Sequence, residues 1–538
     1  MKKYAKILQN QLPFVILGVL ALVPTQGFAE PTPKEQKLLQ KAIHWEKTSR
    51  WDKACVLYKK LLHQNTKSKF YRGKYFHCLR RYLQVVRHKD PSYRKDVLSL
   101  NYGKSLRLYT FLMTFLQNHA LEQDKVTPLQ LFQKGLQELD YALSDANFRK
   151  LHLKYATLKE IKEFRTKIRT TWNTRSVYSV EQAANEIREI SIEAIKKLKL
   201  RPTTVVMEFT CGGCYAFDNY TKYLTPDELR RLCNSLKGET VGVGLKVGLR
   251  GGRIVITHID IDGPAAEVEP SLMIGDEISN INGKSTELMS PETVTGILNG
   301  TVGSKVRITV AYPEMSQSIE LIRRPIFQPS VEFEMKTASI GYLAVHSFQE
   351  TTLIELDSAL STLKKQGAKA LVLDLRGNRG GIVEAAIEAS RRFLRKGVIV
   401  STKTSDAKFD VTYVSNNPTA LALPLVVLVN GETASSAEIL AGALKDNNRA
   451  LFVGQPTFGK SCIQEVYEIS PHPGLHYPGG LRITVARFYS PNGKAYTGNS
   501  IVPDLLVEDS SGYSSLVPND PQLEQALLEA QKKLDDPM

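Results

Sequence analysis

Two residues, Ser435 and Lys460, have the side chains needed to hydrolyse a bond by nucleophilic attack. Ser435 lies in a run of small residues that follows an apolar stretch, Leu425 to Val429, which predicts a buried strand. The residues after it, Glu438 to Leu444, have a composition that predicts a helix. A hydroxyl at a helix N-terminus lies beside free backbone N–H groups and the positive end of the helix dipole. This position suits both a nucleophile and an oxyanion.

Lys460 can act as a general base only when its amine is neutral. Burial in apolar surroundings lowers the pKa of a lysine, and the apolar strand predicted at Ala450 to Val453 indicates such surroundings. On an extended segment Lys460, Cys462 and Gln464 point to one face, so Gln464 could accept a hydrogen bond from the amine and orient it. The alternative interpretation makes Lys460 a solvated strand end and Ser435 a helix N-cap.

A second sequence motif, one that would indicate nucleotide binding instead of hydrolysis, also includes Lys460. Residues Gly454 to Ser461 match the phosphate-binding loop G-x-x-x-x-G-K-[ST]. A bound phosphate in that motif sits on the N-terminus of a helix that follows directly. Here Cys462 to Ile469 are β-branched and aromatic, which predicts a strand. We therefore expect no nucleotide. A Ser-His-Asp triad has little support either, since no G-x-S-x-G elbow occurs and no histidine is near Ser435 in sequence.

The segments Asn430 to Asp446 and Val453 to Gln464 resemble the two catalytic motifs of the carboxyl-terminal processing peptidases, also called tail-specific proteases. Those motifs read roughly N-x-G-[ST]-A-S-A-S-E-I, continuing into A-G-A-L-x-D, and V-G-x-x-T-F-G-K-G-x-x-Q. The resemblance implies Ser435 as nucleophile, Lys460 as base and Gln464 as the residue that orients the base.

The chain departs from the family pattern at four positions. Glu432 stands where the family often has Gly, Ser436 replaces a usual Ala, Ala437 replaces a Ser, and Ser461 replaces a Gly. Ser436 also carries a hydroxyl, but the family's spacing to the lysine favours Ser435 as the nucleophile.

A third motif predicts where an oxyanion would bind. Residues Ala370 to Asp374 predict a buried strand, and Leu375 to Gly381 continue it into a Gly-rich turn, where backbone N–H groups can approach a ligand closely. The family reads D-[LV]-R-x-N-x-G-G here. The resemblance implies that Gly381, next to Gly380, and Ser436 supply the two N–H donors.

A PDZ domain is predicted at residues 240–313. Gly275 to Gly283 match the G-D-x-I-x-x-I-N-G signature of such domains, and Asn282-Gly283 indicates a hairpin turn. In a PDZ domain a loop of backbone N–H groups holds the carboxylate of a peptide, while the next strand pairs with the peptide. The predicted loop residues are Gly242, Val243, Gly244 and Leu245. Together with Ile297 and Leu298 on a predicted helix from Pro291, Leu245 would form an apolar pocket that favours apolar C-terminal residues.

The whole chain of 538 residues, 42% hydrophobic, is long enough for several domains. We predict a multidomain α+β protein: an N-terminal helical region, and a PDZ domain inserted in an αβ serine peptidase core of the crotonase-like kind. Asp218 to Pro226 resemble a family stretch D-x-[YH]-[ST]-x-Y-L-x-P before the PDZ domain. The expected divisions are a signal peptide (1–29), helical hairpins with a tetratricopeptide-like look (30–95), a helical region (96–205), the start of the peptidase core (206–239), the PDZ domain (240–313), the catalytic domain (314–512) and a C-terminal helix (513–538).

The N-terminus predicts export. Three lysines precede an apolar run, Leu12 to Val23, that is short for a membrane span, and Gly27-Phe28-Ala29 is a small-x-small cleavage site. An uncleaved segment would instead anchor the chain to a membrane. Either way a periplasmic or other extracytoplasmic location is expected. There Cys55 and Cys78, on adjacent predicted helices, could form a disulfide, while Cys211 and Cys214 form a C-x-x-C without the partners of a zinc site.

Charge adds little to the functional assignment. The net charge is +16, and residues 32–205 alone carry about +20. Their lysines and arginines are interleaved along helical patterns, which favours a solvated helix surface over a nucleic-acid site.

Together these features predict an exported serine endopeptidase that needs no metal or other cofactor and takes protein substrates by their C-termini. The alternative is a catalytically inactive PDZ scaffold. Homo-oligomer formation is left open.

Overall fold

The computed structural model describes residues 32–287, 289–312, 315–470, 475–508 and 520–535. The predicted signal segment lies outside these ranges. No helix within them is long and apolar enough to cross a membrane. All six cysteines are described and all are free. The pairing of Cys55 with Cys78 considered from the sequence is therefore not formed.

The predicted N-terminal helical region is confirmed. Three of its helices begin at capping boxes: the hydroxyls of Thr32, Thr127 and Thr157 each accept a hydrogen bond from the third residue of the helix that follows. Helices α4, α5 and α8 pack around α9, which is buried from Thr203 to its last residue, Cys214. The helices are α1 (Pro33–Lys47), α2 (Trp51–Gln64), α3 (Lys69–Lys89), α4 (Tyr102–His119), α5 (Pro128–Ser144), α6 (Ala146–His152), α7 (Leu158–Thr170), α8 (Val180–Leu198) and α9 (Pro202–Cys214).

A short connection leads from the helices to the PDZ domain. It comprises β1 (Lys222–Leu224), α10 (Pro226–Leu236) and β2 (Glu239–Gly242). The PDZ domain is a five-stranded antiparallel sheet, with the two-residue β6 paired to β5 and α11 packed against β3. Its elements are β3 (Leu245–Arg250), β4 (Arg253–Ile259), β5 (Glu277–Ile281), β6 (Lys284–Ser285), α11 (Pro291–Leu298), β7 (Lys305–Ala311) and β8 (Ser316–Ile322).

The chain leaves the PDZ domain beside the point where it entered. The exit strand β9 (Arg324–Phe327) pairs antiparallel with the entry strand β2, and Glu239 lies opposite Phe327. We call this pair of strands the neck. Its geometry is that of a domain inserted into a loop of another domain, as the sequence predicted.

The peptidase core contains two sheets. The central sheet has the order β10-β11-β12-β15-β16-β19 and is parallel except for β10 at its edge. The second sheet has the order β1-β18-β13-β14, with β17 also paired to β18. The elements are β10 (Val331–Met335), β11 (Ile340–Val345), α12 (Thr352–Lys365), β12 (Ala370–Asp374), α13 (Val383–Phe393), β13 (Lys396–Thr404), β14 (Val411–Asn416), β15 (Leu425–Val429), α14 (Ser436–Asp446), β16 (Leu451–Gly454), β17 (Cys462–Glu468), β18 (Gly480–Tyr489), β19 (Leu505–Leu506) and α15 (Pro521–Asp535).

The central sheet is buried on both faces. Strands β12 and β15 are buried at every residue, which explains why their sequences are continuous apolar runs. Helices α12, α13 and α14 cover one face together with the second sheet, and α15 covers the other. The carboxyl ends of β12, β15 and β16 meet at one edge of the sheet. The Gly-rich turn, Ser435 and Lys460 all follow these three strands.

Candidate active site

Ser435 lies at the turn between β15 and α14, and its backbone is strained. Its φ is +59° and its ψ is −122°, a conformation that residues with a side chain rarely adopt. Every residue from 425 to 444 is described, and Ser435 is the one among them that is not buried. The turn therefore presents this hydroxyl at the surface of an otherwise buried strand–helix unit.

Lys460 brings its amine to that hydroxyl. Its Nζ is 3.5 Å from Oγ of Ser435, at the outer limit of a hydrogen bond. Such contacts are often long in the absence of substrate. The amine also lies over the ring of Tyr220, 5.1 Å from its centroid. Burial lowers the pKa of Lys460, and Arg482 lowers it further, against the opposing effects of Cys462 and Glu438.

A buried carboxylate, that of Glu438, joins the two segments. It accepts hydrogen bonds from the N–H groups of Ser435 (3.0 Å), Gly459 (2.8 Å) and Lys460 (2.9 Å), and from Oγ1 of Thr457 (2.6 Å). Burial raises the pKa of Glu438, although these four donors oppose the effect. One side chain in the first turn of α14 thus fixes both the backbone of the serine and the backbone of the lysine.

The Gly-rich turn after β12 lies directly against Ser435. A Cβ on Gly380, whose φ is +97°, would be 2.9 Å from both Cβ of Ser435 and N of Ser436. The hydroxyl of Ser436 donates to the carbonyl of Gly381 at 2.9 Å. Among the described residues, no hydrogen bond uses the N–H of Gly381 or of Ser436. The N–H of the residue after Ser435 and that of Gly381 in the adjoining turn are thus both without a partner, and their role as oxyanion donors stays a prediction.

Side chains from several elements fix this turn. The amide of Asn378 donates to the carbonyl of Val345 at 2.8 Å and accepts from the N–H of Gly380 at 2.9 Å. Arg376 forms an ion pair with Asp374 at 2.6 Å and with Asp520, at the start of α15, at 2.8 Å. The conformation of the turn is therefore set before any ligand binds.

Gln464 is near the lysine in sequence but is not hydrogen-bonded to it. Its side-chain amide donates to Oγ1 of Thr484 at 3.2 Å, and the pairing of β17 with β18 shifts register between Ile463 and Gln464. The orienting role of Gln464 stays a prediction.

The residues after Ser461 form β17 rather than a helix, as the sequence predicted. The loop from Gly454 to Ser461 therefore lacks the helix N-terminus on which a nucleotide phosphate would sit. Among the described residues, no group of His, Cys, Asp and Glu side chains could hold a metal ion.

The predicted carboxylate-binding loop lies between β2 and β3. Gly244 has a φ of +78°, and a Cβ there would be 2.8 Å from Cα of Gly263. The carbonyls of Val243 and Gly244 accept hydrogen bonds from Ala265 and Asp260. Their own N–H groups donate none within the described ranges. Leu245 and Leu298 are buried in the core of the domain, and Ile297 is partly buried against it.

Sequence reasoning missed two residues of the site. Tyr220 was visible only as part of the stretch Asp218 to Pro226, and nothing in that stretch pointed to the lysine. Glu438 belongs to the nucleophile motif, but its spacing in sequence did not show that it would reach Gly459 and Lys460, because that contact depends on how β16 and α14 pack.

Comparison with known proteins agrees with this architecture. The model of peptidase family S41 matches residues 339–507, and that of the PDZ domain matches residues 233–311. The carboxyl-terminal-processing protease of Picosynechococcus is 33% identical over 306 residues, which span 56% of this chain and 72% of the relative. The carboxy-terminal-processing protease of Bartonella bacilliformis is 32% identical over 308 residues, 55% of this chain and 68% of the relative. Among solved structures, the photosystem II D1 C-terminal processing protease is 24% identical and covers 78% of this chain and 96% of its own, with a TM-score of 0.40.

The fold and the family matches define a serine-type peptidase that carries a PDZ domain. The chain belongs to the family of carboxyl-terminal-processing proteases.

Proposed function

We propose that this chain is an exported endopeptidase that binds protein C-termini through its PDZ domain and cleaves peptide bonds with a dyad of Ser435 and Lys460. The observation that carries the proposal is the 3.5 Å approach of the lysine amine to the serine hydroxyl. It is supported by the N–H groups of Gly381 and Ser436, which have no hydrogen-bond partner among the described residues. The proposed recognition of substrate proteins by their C-termini depends on the predicted carboxylate-binding loop from Gly242 to Leu245.

In the proposed reaction, Oγ of Ser435 attacks the carbonyl carbon of the peptide bond while neutral Lys460 takes its proton. The N–H groups of Gly381 and Ser436 stabilise the oxyanion that forms. The lysine then returns the proton to the leaving amine, so that the C–N bond breaks and an ester to Ser435 remains. A water molecule, deprotonated by the same lysine, hydrolyses that ester.

Cleavage of an unfolded reporter protein tests the dyad. We expect Ser435→Ala and Lys460→Ala each to reduce kcat by at least about 1,000-fold, because each removes a group that takes part in every step. Ser436→Ala keeps the backbone N–H and should retain far more activity than Ser435→Ala. Matched surface controls are Ser358→Ala and Lys494→Ala, both at exposed positions.

The reporter should carry either an apolar or a charged C-terminus. Faster cleavage of the apolar-tailed reporter is expected, since apolar residues would line the PDZ pocket. Bound but uncleaved reporter with every form of the protein would instead support the inactive scaffold.

Export is tested separately. The full chain produced in a bacterium with an outer membrane should appear in the periplasm with Glu30 as its first residue, because cleavage would follow Ala29. A full-length chain that stays with the membrane fraction would support an uncleaved anchor, and a full-length chain in the cytoplasm would contradict export.

A further inference from the structure

The hairpin formed by α2 and α3 lies outside both segments matched by the family models, yet it contacts the two loops that carry Ser435 and Lys460. On the serine side, the ring of His63 packs on Gly431, where a Cβ would be 2.7 Å from Cγ of the histidine. Lys59 forms an ion pair with Glu432, whose other oxygen is 2.8 Å from Nη2 of Arg379 in the Gly-rich turn.

On the lysine side, three residues of α3 make contacts: Arg72, Tyr75 and Phe76. The guanidinium of Arg72 donates to the carbonyls of Phe458 and Gly459, each at 3.4 Å. The ring of Tyr75 lies edge-on to Phe458, with centroids 6.4 Å apart. These contacts reach the two residues that directly precede Lys460.

The third contact, made by Phe76, leads through one ring to the amine of Lys460. The ring of Phe76, only 8% exposed, stands edge-on against Tyr220 with centroids 5.4 Å apart. Tyr220 in turn presents its face to the amine of Lys460 at 5.1 Å. Phe76, Tyr220 and Lys460 therefore form a continuous stack that leads from the N-terminal helices to the base.

The charged and titratable groups around this stack come from four other segments. Glu438 on α14, Cys462 on β17, Arg482 on β18 and Asp218 before β1 act on the lysine amine. Arg72 on α3 acts on Tyr220. The groups that act on the amine lie on other segments, and Arg72 is a cation of the hairpin itself; besides this charge, the hairpin contributes the exclusion of water from the surroundings of the amine.

We propose that the α2–α3 hairpin is part of the active site, with Phe76 as a positioning residue that holds Tyr220 over Lys460 and keeps water from the amine. The inference rests on the proposed function, in which Lys460 is the base. A desolvated lysine stays neutral at lower pH, so the hairpin extends activity toward neutral pH.

The test is the pH dependence of kcat/KM for the full mature chain, measured on the unfolded reporter from about pH 5 to 10. Activity should rise with pH as Lys460 loses its proton. In Phe76→Ala, water reaches the amine, so we expect this rise to shift about one pH unit to the alkaline side. Activity on the rising limb would then fall about tenfold, while the alkaline plateau stays within about twofold of wild type. Phe70→Ala is the matched control, since Phe70 is on the same helix and is 54% exposed.

An equal loss of activity at every pH, or an unmoved limb, would overturn the inference, because a merely structural role predicts one of these. If Phe76→Ala does not fold, Phe76→Val is judged by the same two criteria. Lys460→Ala is assayed alongside. An active Lys460→Ala variant refutes the proposed dyad itself, whereas an inactive one together with an unmoved limb in the Phe76 variant refutes only the role of the hairpin.

Discussion

At the scale of single residues, the site depends on a strained serine and a buried carboxylate. A residue with a side chain at a φ of +59° and a ψ of −122° costs on the order of 1–3 kcal/mol. The Ser435 N–H is held by Glu438, and the same carboxylate holds the backbone of Lys460. The strain is therefore offset where the segment of Ser435 and the segment of Lys460 are joined. The strained turn leaves Ser435 only partly buried while its neighbours in sequence are buried.

His63 gives the hairpin contact a dependence on pH. Burial lowers the pKa of His63 to about 4, although nearby Glu432 opposes the effect. The unfolded chain would bind this proton at about pH 6.5, so the folded state is favoured above that pH and loses the advantage as the pH falls toward 4. We expect the opening free energy of α2 to fall by about 1–2 kcal/mol across this window, allowing for the partial exposure of the ring.

Hydrogen exchange of the α2 amides at pH 7 and at pH 4.5 measures this change. In His63→Gln the opening free energy of α2 should fall less between these two pH values, by about 1–2 kcal/mol, because the side chain no longer titrates. His476→Gln, at an exposed position, is the matched control. An undiminished fall in His63→Gln would show that other groups cause it.

At the scale of elements, close packing positions α14, the helix that begins after Ser435. Its Gly442 faces the hydroxyl of Tyr496, and a Cβ at this position would overlap that oxygen. Tyr496 is only 4% exposed and its ring packs at a tilt against Phe488 of β18, so it has little room to move. The small residue therefore sets how closely α14 approaches its neighbours.

We expect Gly442→Ala to destabilise the protein by about 1–3 kcal/mol through overpacking, and to lower kcat by moving the N-terminus of α14. The matched control is Gly296→Ala on α11, where no atom lies within 4 Å of the new Cβ. That variant should be stabilised by about 0.5–1 kcal/mol, since alanine favours a helix over glycine. Thermal unfolding of both variants checks the opposite signs; equal effects would contradict the packing argument.

A buried ionic network holds α3, the helix that bears Phe76, to the rest of the helical region. Glu138 on α5 and Glu208 on α9 are fully buried and pair with Arg81 and Arg87 on α3, each at 2.8 Å. Burial by itself would raise the pKa of Glu208, but Arg87 and His88 hold that pKa below its usual range. Removing one partner of such a pair leaves a buried charge uncompensated, so the network resists displacement of α3.

At the scale of the whole molecule, the neck connects the PDZ domain to the Gly-rich turn. Gly238, next to β2, has a φ of +80°, and a Cβ there would be 2.8 Å from Oε1 of Gln349. The preceding residue, Phe348, donates its N–H to the carbonyl of Gly380 at 3.1 Å and accepts from Ile382 at 2.8 Å. A displacement of the neck would therefore act on the backbone that carries Gly381.

This connection predicts activation by peptides. A peptide with an apolar C-terminus that binds the PDZ domain should raise hydrolysis of a separate, tail-less substrate by about fivefold or more, a typical coupling between two sites. The same peptide with an amidated C-terminus is the control, because it lacks the carboxylate that the loop would bind. An unchanged rate at saturating peptide would show that the PDZ domain only tethers substrates.

Much of the architecture could be predicted from the amino-acid sequence, because the signals that define it are local. Continuous apolar runs predicted β12 and β15, since strands buried on both faces leave no polar positions. The PDZ signature with its Asn282-Gly283 turn was predicted from the sequence, as was the start of α11 at Pro291. Ser435 and Lys460 could likewise be singled out from the sequence, because each belongs to a motif of neighbouring residues.

Contacts between residues far apart in sequence could be seen only in the folded protein. Phe76 and Tyr220 are 144 positions apart, and their contact arises because the helical region packs on the second sheet. Glu438 reaches Gly459 because β16 lies next to β15 in the sheet, and Gln464 faces Thr484 because of the register between β17 and β18. Periodicity and spacing in the sequence indicate which face of a helix or strand is buried. They do not indicate which other helix or strand packs against that face, and the surroundings of Lys460 depend on this packing.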